Sequence, residues 1–264
     1  MSCPEPSDRS ERVDAFHNGA FHLIQPVRSG FRAGLDALLL AAFVSSDDRG
    51  EAADLGAGTG AVGLSAAWRA PNLRVRLIER DADVAERLSR SLALPENAAL
   101  AQRLSVSVVD LLGGRESREA AGLADASLDL VLTNPPFHPF THRASPDMTR
   151  RAAMAEGGPK ALEAWLIVAC ALLRHSGRLL TVLRPEALAA LLAVAPNRLG
   201  AIHVLPVHTR PGDAAKRLIV SAQRGSRAPL RILPGLWLCD AEGRASAAAD
   251  AIAAGSFDGA KHLR

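Results

Sequence analysis

A glycine-rich turn, Asp54-Leu55-Gly56-Ala57-Gly58-Thr59-Gly60, joins a short predicted strand to an apolar stretch over residues 61–68. The spacing of the apolar residues after the turn predicts a helix that packs on a sheet. Glycines let the backbone approach a ligand closely, and the first N–H groups of the helix then face that ligand. The turn therefore predicts an α/β fold with a site for a nucleotide-like cofactor, formed by Asp54, Gly56, Gly58 and Gly60.

Acidic residues end the next two predicted strands. A strand over residues 73–78 ends at Glu79, whose carboxylate can accept both hydroxyl groups of an unmodified ribose. A strand over residues 104–109 ends at Asp110, which is placed either to accept from an adenine amino group or to cap the following helix. The glycines and Glu79 fit a nicotinamide dinucleotide as well as adenosylmethionine. The additional carboxylate of Asp110 favours adenosylmethionine.

A further predicted strand, residues 128–132, leads into Asn134-Pro135-Pro136-Phe137. Consecutive prolines lack N–H groups, so the segment is stiff and its carbonyls are free to accept hydrogen bonds. The Asn134 side-chain oxygen and the Pro135 carbonyl can each accept one N–H of an amino group and localise its lone pair, while Phe137 stacks on the planar group. The alternative is an ordinary turn, since both dipeptides are common in loops. The tetrapeptide predicts a flat substrate that carries an amine.

The order of glycine turn, Glu79, Asp110 and tetrapeptide resembles the adenosylmethionine-dependent methyltransferases that modify exocyclic or amide nitrogens. The lead-in segment, residues 25–40, runs Gln-Pro-Val-Arg-Ser-Gly-Phe-Arg-Ala-Gly-Leu-Asp-Ala-Leu-Leu-Leu and is similar to that of the bacterial tRNA(Val) adenine-37 N6-methyltransferases, a small-domain methyltransferase family. The resemblance covers about residues 15–225. It implies a Rossmann-like class I methyltransferase fold, with a seven-stranded, mostly parallel sheet, an antiparallel final strand and helices on both faces.

The same resemblance implies S-adenosyl-L-methionine as the cofactor and RNA as the partner. The implied acceptor is adenine N6 in tRNA, at adenine 37 of valine tRNA, by direct in-line methyl transfer. Guanine N2 of ribosomal RNA and protein glutamine N5 remain alternatives, because enzymes acting on them share the tetrapeptide. A nicotinamide-dependent oxidoreductase or a non-catalytic cofactor-binding module is a more distant alternative, since neither uses the tetrapeptide. Many relatives have tyrosine where Phe137 stands, which preserves stacking.

Basic residues gather around the predicted substrate mouth. The connection over residues 138–159 is long and predicts a lid, and Pro139 between His138 and His142 argues against a metal site there. Each cation either contacts RNA phosphates or is simply solvated. The candidates for RNA contact are Arg28, Arg32, His138, Arg143, Arg150, Arg151, Lys216 and Arg217.

Asp36 lies near the start of a helix predicted over residues 34–45. Its carboxylate is placed either to cap that helix or to contact the methionine end of the cofactor, and the sequence favours neither. The cofactor-binding set predicted from the chain therefore includes Asp36 beside the glycine turn, Glu79 and Asp110.

The composition fits one globular domain, since 48% of the 264 residues are hydrophobic and 22% are charged. We expect a disordered tail over residues 1–14, a single methyltransferase domain over 15–240 and a weakly structured end over 241–264. A net charge of +3 is too small to establish nucleic-acid binding. No apolar run is long enough for a membrane span and no secretory pattern is present, so a cytoplasmic protein is expected. Three cysteines without Cys-x-x-Cys spacing predict no metal site.

Overall fold

A large mixed sheet forms the centre of the protein, in a computed structural model that describes residues 11–27, 34–136 and 159–263. The strands are β1 (Glu11–Phe16), β2 (Phe21–Pro26), β3 (Arg49–Leu55), β4 (Asn72–Glu79), β5 (Leu104–Val108), β6 (Leu128–Thr133), β7 (Leu173–Leu183), β8 (Leu199–His208), β9 (Ala215–Arg224), β10 (Arg231–Ile232) and β11 (Leu236–Trp237). Strands β1 and β2 form a separate antiparallel hairpin. Within the described residues the other nine strands belong to the sheet.

The sheet has the order β10-β8-β9-β7-β6-β3-β4-β5, and β11 also pairs with β8. Strands β5, β4, β3, β6 and β7 are parallel, whereas β9 is antiparallel to both of its neighbours, β7 and β8. The predicted seven-stranded, mostly parallel sheet with an antiparallel final strand is confirmed as the run from β5 to β8. The carboxyl ends of the parallel strands meet at one edge, where such sheets bind ligands.

Helices cover both faces of the sheet, as predicted. They are α1 (Leu35–Ala41), α2 (Ala61–Arg69), α3 (Ala82–Leu92), α4 (Ala98–Ala101), α5 (Arg115–Ala120), α6 (Pro159–Leu172), α7 (Leu188–Val194) and α8 (Ala247–Ala254). Neighbouring strand residues enter different cores: Ala52 packs with α1 and α2, whereas Ala53 packs with α6 and α7. This alternation follows from the two-residue period of a strand. No helix in the described ranges is long and apolar enough to cross a membrane.

Residues 11–14, which the sequence analysis places in a disordered tail, belong to β1. Glu11 forms ion pairs with Arg87 at 2.8 Å and with Arg90 at 2.6 Å, both on α3. Hydrogen bonds from Arg90 and Arg87 lower the pKa of the Glu11 carboxyl. A polar segment that lacks an apolar pattern is thus held by backbone pairing and by ion pairs to a distant helix. Residues 1–10 lie outside the described part of the chain.

The C-terminal end is folded where the sequence predicts weak structure. Helix α8 begins after Ser246, whose hydroxyl accepts a hydrogen bond from the Ala249 N–H at 3.1 Å, and Ile252 is fully buried. The Arg69 guanidinium donates to the carbonyls of Gly255 and Phe257 at 2.7 and 2.6 Å. These anchors join residues far apart in sequence, so the alanine-rich composition alone did not show them.

Two short strands near residue 230 extend the sheet. Strands β10 and β11 each pair in parallel with β8, through Arg231 opposite His203 and Leu236 opposite Val207. The edge strand of the predicted sheet is therefore covered, which protects its unpaired backbone groups.

Candidate functional site

The glycine turn lies at the carboxyl end of β3. The N–H of Gly56 donates to the Ile78 carbonyl of β4 at 2.9 Å. Gly56, Gly58 and Gly60 have φ angles of +75°, +55° and +88°, a region that favours glycine. A Cβ at Gly58 would meet nothing closer than the Gly56 carbonyl oxygen, at 4.0 Å, whereas a Cβ at Gly60 would lie 2.3 Å from Leu88 Cδ1. Gly58 thus faces open space suited to a ligand, and Gly60 allows close packing.

Glu79, at the end of β4, holds the turn from the side. Its Oε2 accepts from the Gly58 N–H at 2.9 Å, and its Oε1 accepts from the N–H groups of Arg80 and Asp81 at 2.8 and 3.0 Å. Three backbone donors fix the orientation of this half-buried carboxylate. Because each carboxylate oxygen can accept more than one hydrogen bond, Glu79 retains capacity for the hydroxyl groups of a ribose.

Asp54 lies beneath the turn and is 1% exposed. Its Oδ2 accepts from the Gly63 N–H at 3.0 Å. Burial raises the pKa of the Asp54 carboxyl to about 7, the Gly63 hydrogen bond opposes that rise, and the charge of Glu79 adds to it. This hydrogen bond fixes the start of α2 beneath the turn. The cofactor-binding role of Asp54 stays a prediction.

Gly63 is a residue of the site that the sequence interpretation missed. A Cβ there would lie 2.1 Å from Leu77 Cδ2 and 3.3 Å from Asp54 Oδ2, so only glycine lets α2 approach the sheet at this point. The available signal was its spacing, since Gly63 follows Gly60 by three residues and extends the glycine pattern of the turn.

Asp110 lies beyond the end of β5, next to Glu79. The Val109 N–H donates to the Glu79 carbonyl at 2.9 Å, which places the two strand ends side by side. The Asp110 side chain is exposed, and its Oδ1 accepts from the Leu112 N–H at 2.9 Å. The Asp110 carboxylate thus accepts from a backbone N–H two residues later, as a capping residue does. The bond closes a turn, however, because α5 begins only at Arg115. The structure thus brings Asp110 to the same edge as the glycine turn and Glu79.

The first residues of the tetrapeptide lie directly beside the glycine turn. Thr133, the last residue of β6, pairs with Leu55, the last residue of β3, so Asn134 and Gly56 follow adjacent strand ends. Asn134 and Pro136 are exposed, whereas Pro135 is buried. Seven predicted site residues, together with residues 138–158 of the predicted lid, lie outside the described residues; they are Phe137, Arg28, Arg32, His138, Arg143, Arg150 and Arg151.

Trp165 of α6 has the helical spacing of a core residue and packs against the core, and its ring also reaches this part of the site. Its indole Nε1–H donates to Thr133 Oγ1 at 3.0 Å. Its ring atoms Cη2 and Cζ2 both lie 3.3 Å from where a Cβ of Gly56 would stand. No local pattern predicts this contact, since it depends on how α6 docks on the sheet.

Asp36 does not cap α1, and its predicted contact with the cofactor stays a prediction. Helix α1 has Gly34 at its N-cap without a side-chain cap, and Asp36 Oδ2 accepts from Arg217 Nε at 2.9 Å. Arg217 and Lys216 lie near the start of β9. Leu218 of β9 pairs with Leu183, the last residue of β7, so β9 starts at the edge of the sheet where the parallel strands end. Two residues predicted for different partners, Asp36 for the cofactor and Arg217 for RNA, are thus paired with each other.

The strand order and the glycine turn with carboxylates at successive strand ends define a class I adenosylmethionine-dependent methyltransferase. The model of the methyltransferase small domain matches residues 35–189, and the chain belongs to this family. The enzyme is therefore a methyltransferase with S-adenosylmethionine as its cofactor.

Relatives with known names support the same class. The chain is 32% identical over 193 residues to a Porphyromonas gingivalis protein named tRNA1(Val) (adenine(37)-N6)-methyltransferase. The aligned residues cover 71% of this chain and 72% of that protein. A solved structure from Agrobacterium tumefaciens, described as a predicted O-methyltransferase, has a TM-score of 0.71 at 32% identity and covers 84% of this chain and 96% of that one.

A more distant solved structure shares the fold. It is the T. thermophilus 16S rRNA N2 G1207 methyltransferase in complex with AdoMet and guanosine, with a TM-score of 0.52 at 24% identity, and it covers 84% of this chain and 52% of that one. At this identity the likeness concerns the fold alone.

Proposed function

We propose that this enzyme methylates an exocyclic amino nitrogen of RNA, namely adenine N6 in tRNA, at adenine 37 of valine tRNA. The observation that carries the proposal is the pairing of Thr133 with Leu55, which places Asn134-Pro135 and the glycine turn at adjacent strand ends. Neighbouring strands lie about 4.8 Å apart, so a methyl donor on one strand end and an amine on the next are within reach of in-line transfer.

The residues around the turn fit the cofactor. In this proposal Glu79 accepts from the ribose hydroxyls, Asp110 accepts from the adenine amino group, and the backbone at Gly58 lies against the cofactor, because no Cβ occupies the open space there. The bound cofactor supplies a methyl group on a positively charged sulfur. Asp54 and Gly63 hold α2 beneath this site. Asp36 is retained as a candidate near the methionine end, in which case its pairing with Arg217 would change on binding.

The tetrapeptide acts on the acceptor. The exposed Asn134 carboxamide and the Pro135 carbonyl each accept one N–H of the amino group, which localises the nitrogen lone pair toward the methyl group. These interactions strengthen as the nitrogen becomes tetrahedral, so they favour the transition state over the bound substrate. The proton leaves to water after transfer, when the nitrogen is more acidic. Stacking of Phe137 on the base remains a prediction.

Support for an RNA partner comes from charge and from the relatives. Lys216 is exposed at the same edge as Asn134, and Arg217 beside it is about one third exposed. Cations placed there can contact phosphates and orient the RNA without reading its sequence. The Porphyromonas gingivalis relative, at 32% identity, carries a name that specifies adenine 37 of a valine tRNA. Together these observations favour tRNA over protein glutamine as the substrate.

The acceptor is identified by incubating the purified enzyme with tritiated adenosylmethionine and total tRNA from a host that lacks the gene, followed by digestion to nucleosides. Label in N6-methyladenosine is the expected result. Label in methylated guanosine would keep nitrogen methylation and replace the acceptor, while label on a ribose oxygen would contradict the role of the tetrapeptide. Label only in a protein fraction would move the assignment to glutamine.

The role of the tetrapeptide is tested by Asn134→Ala. We expect turnover to fall by about 10²- to 10³-fold, as for the loss of one transition-state hydrogen bond, with the Kd for adenosylhomocysteine within about twofold of the wild-type value. Asn72→Ala, an exposed asparagine at the amino end of β4, is the matched control and should keep full turnover. Unchanged turnover in Asn134→Ala would contradict the mechanism.

A further inference from the structure

Trp165 connects the two turns that form the site. It is half-buried on α6 and packs against the core that the fully buried Leu166 also belongs to. Two of its contacts reach the site, a hydrogen bond to Thr133 and a packing contact with Gly56. One side chain therefore touches the strand that leads to Asn134 and the turn that borders the cofactor space.

The hydrogen bond belongs to a short chain with a fixed direction. The Trp165 indole can only donate, and it donates to Thr133 Oγ1 at 3.0 Å. The Thr133 hydroxyl in turn donates to the Leu55 carbonyl at 3.0 Å, and Thr133 is fully buried. The chain thus ties the end of β6 to the end of β3, one residue before Asn134 and one residue before Gly56.

The packing contact acts on the glycine turn itself. The indole atoms Cη2 and Cζ2 occupy the side of Gly56 on which any other residue would carry its Cβ, at 3.3 Å from that position. With φ at +75°, Gly56 turns this open side toward α6. The indole therefore blocks movement of the turn toward α6. A smaller ring would lose part of this van der Waals contact.

We propose that Trp165 is a positioning residue that sets the separation between the cofactor turn and the acceptor tetrapeptide; this inference rests on the proposed function above. In-line transfer requires the nitrogen and the methyl group in near-attack geometry, and a displacement of about 1 Å can cost about 10²-fold in rate. In this inference Trp165 acts on the reaction through its contacts with Thr133 and Gly56. Its effect should therefore appear in kcat far more than in cofactor affinity.

Two conservative variants test the hydrogen-bonded chain. Trp165→Phe removes the N–H donor and keeps an aromatic ring, and Thr133→Val removes the hydroxyl in a similar volume. Each should lower kcat by about tenfold or more, with the Kd for adenosylhomocysteine within about threefold of wild type. The double variant should be no slower than the slower single variant, because both substitutions break the same chain. Trp68→Phe, a half-buried tryptophan of α2 that stacks on His17, is the matched control and should retain wild-type kcat.

Fluorescence gives a readout independent of methyl transfer. The chain has three tryptophans, so in the Trp68→Phe/Trp237→Phe background the emission comes from Trp165 alone. Titration with adenosylhomocysteine should change that emission saturably, because the ligand orders the turn against which the indole packs. The Thr133→Val substitution in this background should shift the emission of the free enzyme.

The outcomes separate this inference from the proposed function. The positioning role is overturned if Trp165→Phe has the wild-type kcat, even when RNA is methylated. It is also overturned if the fold-decrease in kcat of the double variant equals the product of the two single decreases. If the wild-type enzyme labels no RNA, the proposed function fails, and the fluorescence titration then tests Trp165 alone. A saturable change in emission supports the contact with the cofactor turn. An unchanged emission at proven ligand occupancy overturns that contact.

Discussion

Replacement of Asp54 by asparagine should remove a pH dependence of stability that the fold creates. Asp54 is 1% exposed and accepts a hydrogen bond from the Gly63 N–H at 3.0 Å. Burial raises the pKa of its carboxyl to about 7, the Gly63 bond lowers it and the charge of Glu79 raises it further. Asparagine has nearly the same shape and can keep the bond to Gly63 through its side-chain oxygen, but it does not ionise.

The magnitude follows from the pKa difference between the two states. An aspartate in the unfolded chain titrates near 3.8, whereas Asp54 in the folded protein titrates near 7. Below about pH 4 both states hold the proton and stability is at its full value; as the pH rises to 7 only the folded state holds it, so stability falls by about 1.4 kcal/mol per pH unit. By about pH 8 the loss is nearly complete, on the order of 4 kcal/mol in total, of which about 3 kcal/mol lies between pH 5 and pH 8.

Urea unfolding of both proteins at pH 5, 6, 7 and 8 measures this effect. The asparagine variant should gain about 3 kcal/mol in free energy of unfolding relative to wild type between pH 5 and pH 8, because the other titrating groups are common to both proteins. Any constant cost of burying the amide cancels in that comparison. A difference that stays constant across this range would refute the assignment of a raised pKa to Asp54.

Two further substitutions test the packing and the hydrogen bonds of the turn. Gly63→Ala should lower the free energy of unfolding by about 2–3 kcal/mol in urea unfolding, since its Cβ would lie 2.1 Å from Leu77 Cδ2 and the interior must shift. Glu79→Gln should raise the Kd for adenosylhomocysteine about tenfold in isothermal titration. The amide offers only one acceptor oxygen, so either the Gly58 N–H or the N–H groups of Arg80 and Asp81 lose their acceptor.

Each of these two predictions has a comparison variant. Gly58→Ala places its Cβ in open space and should cost only the strain of a left-handed backbone, about 1 kcal/mol, so an equal loss in both alanine variants would contradict the clash at Gly63. Glu86→Gln, on the exposed surface of α3, should leave cofactor affinity unchanged. Equal affinities of Glu79→Gln and wild type would show that the orientation of Glu79 does not control the turn.

Local patterns were enough to predict the centre of the fold and the residues that stand at its strand ends. The glycine turn, Glu79, Asp110 and Asn134 each follow a strand, and carboxyl ends of parallel strands meet at one edge of a sheet. Strand alternation, helical spacing and the conformational freedom of glycine act over a few residues, so they are visible in the sequence.

Contacts between distant residues were fixed only when the chain folded. Trp165 has the spacing of a core residue and packs against the core, and docking of α6 also places its indole against Gly56 and Thr133. Asp36 pairs with Arg217, 181 positions away, and α8 is folded although its composition predicts weak structure. The amino-acid sequence determined which residues stand at the strand ends, because those signals are local. Tertiary packing decided which of them touch, because a contact depends on how whole helices and strands are placed against one another.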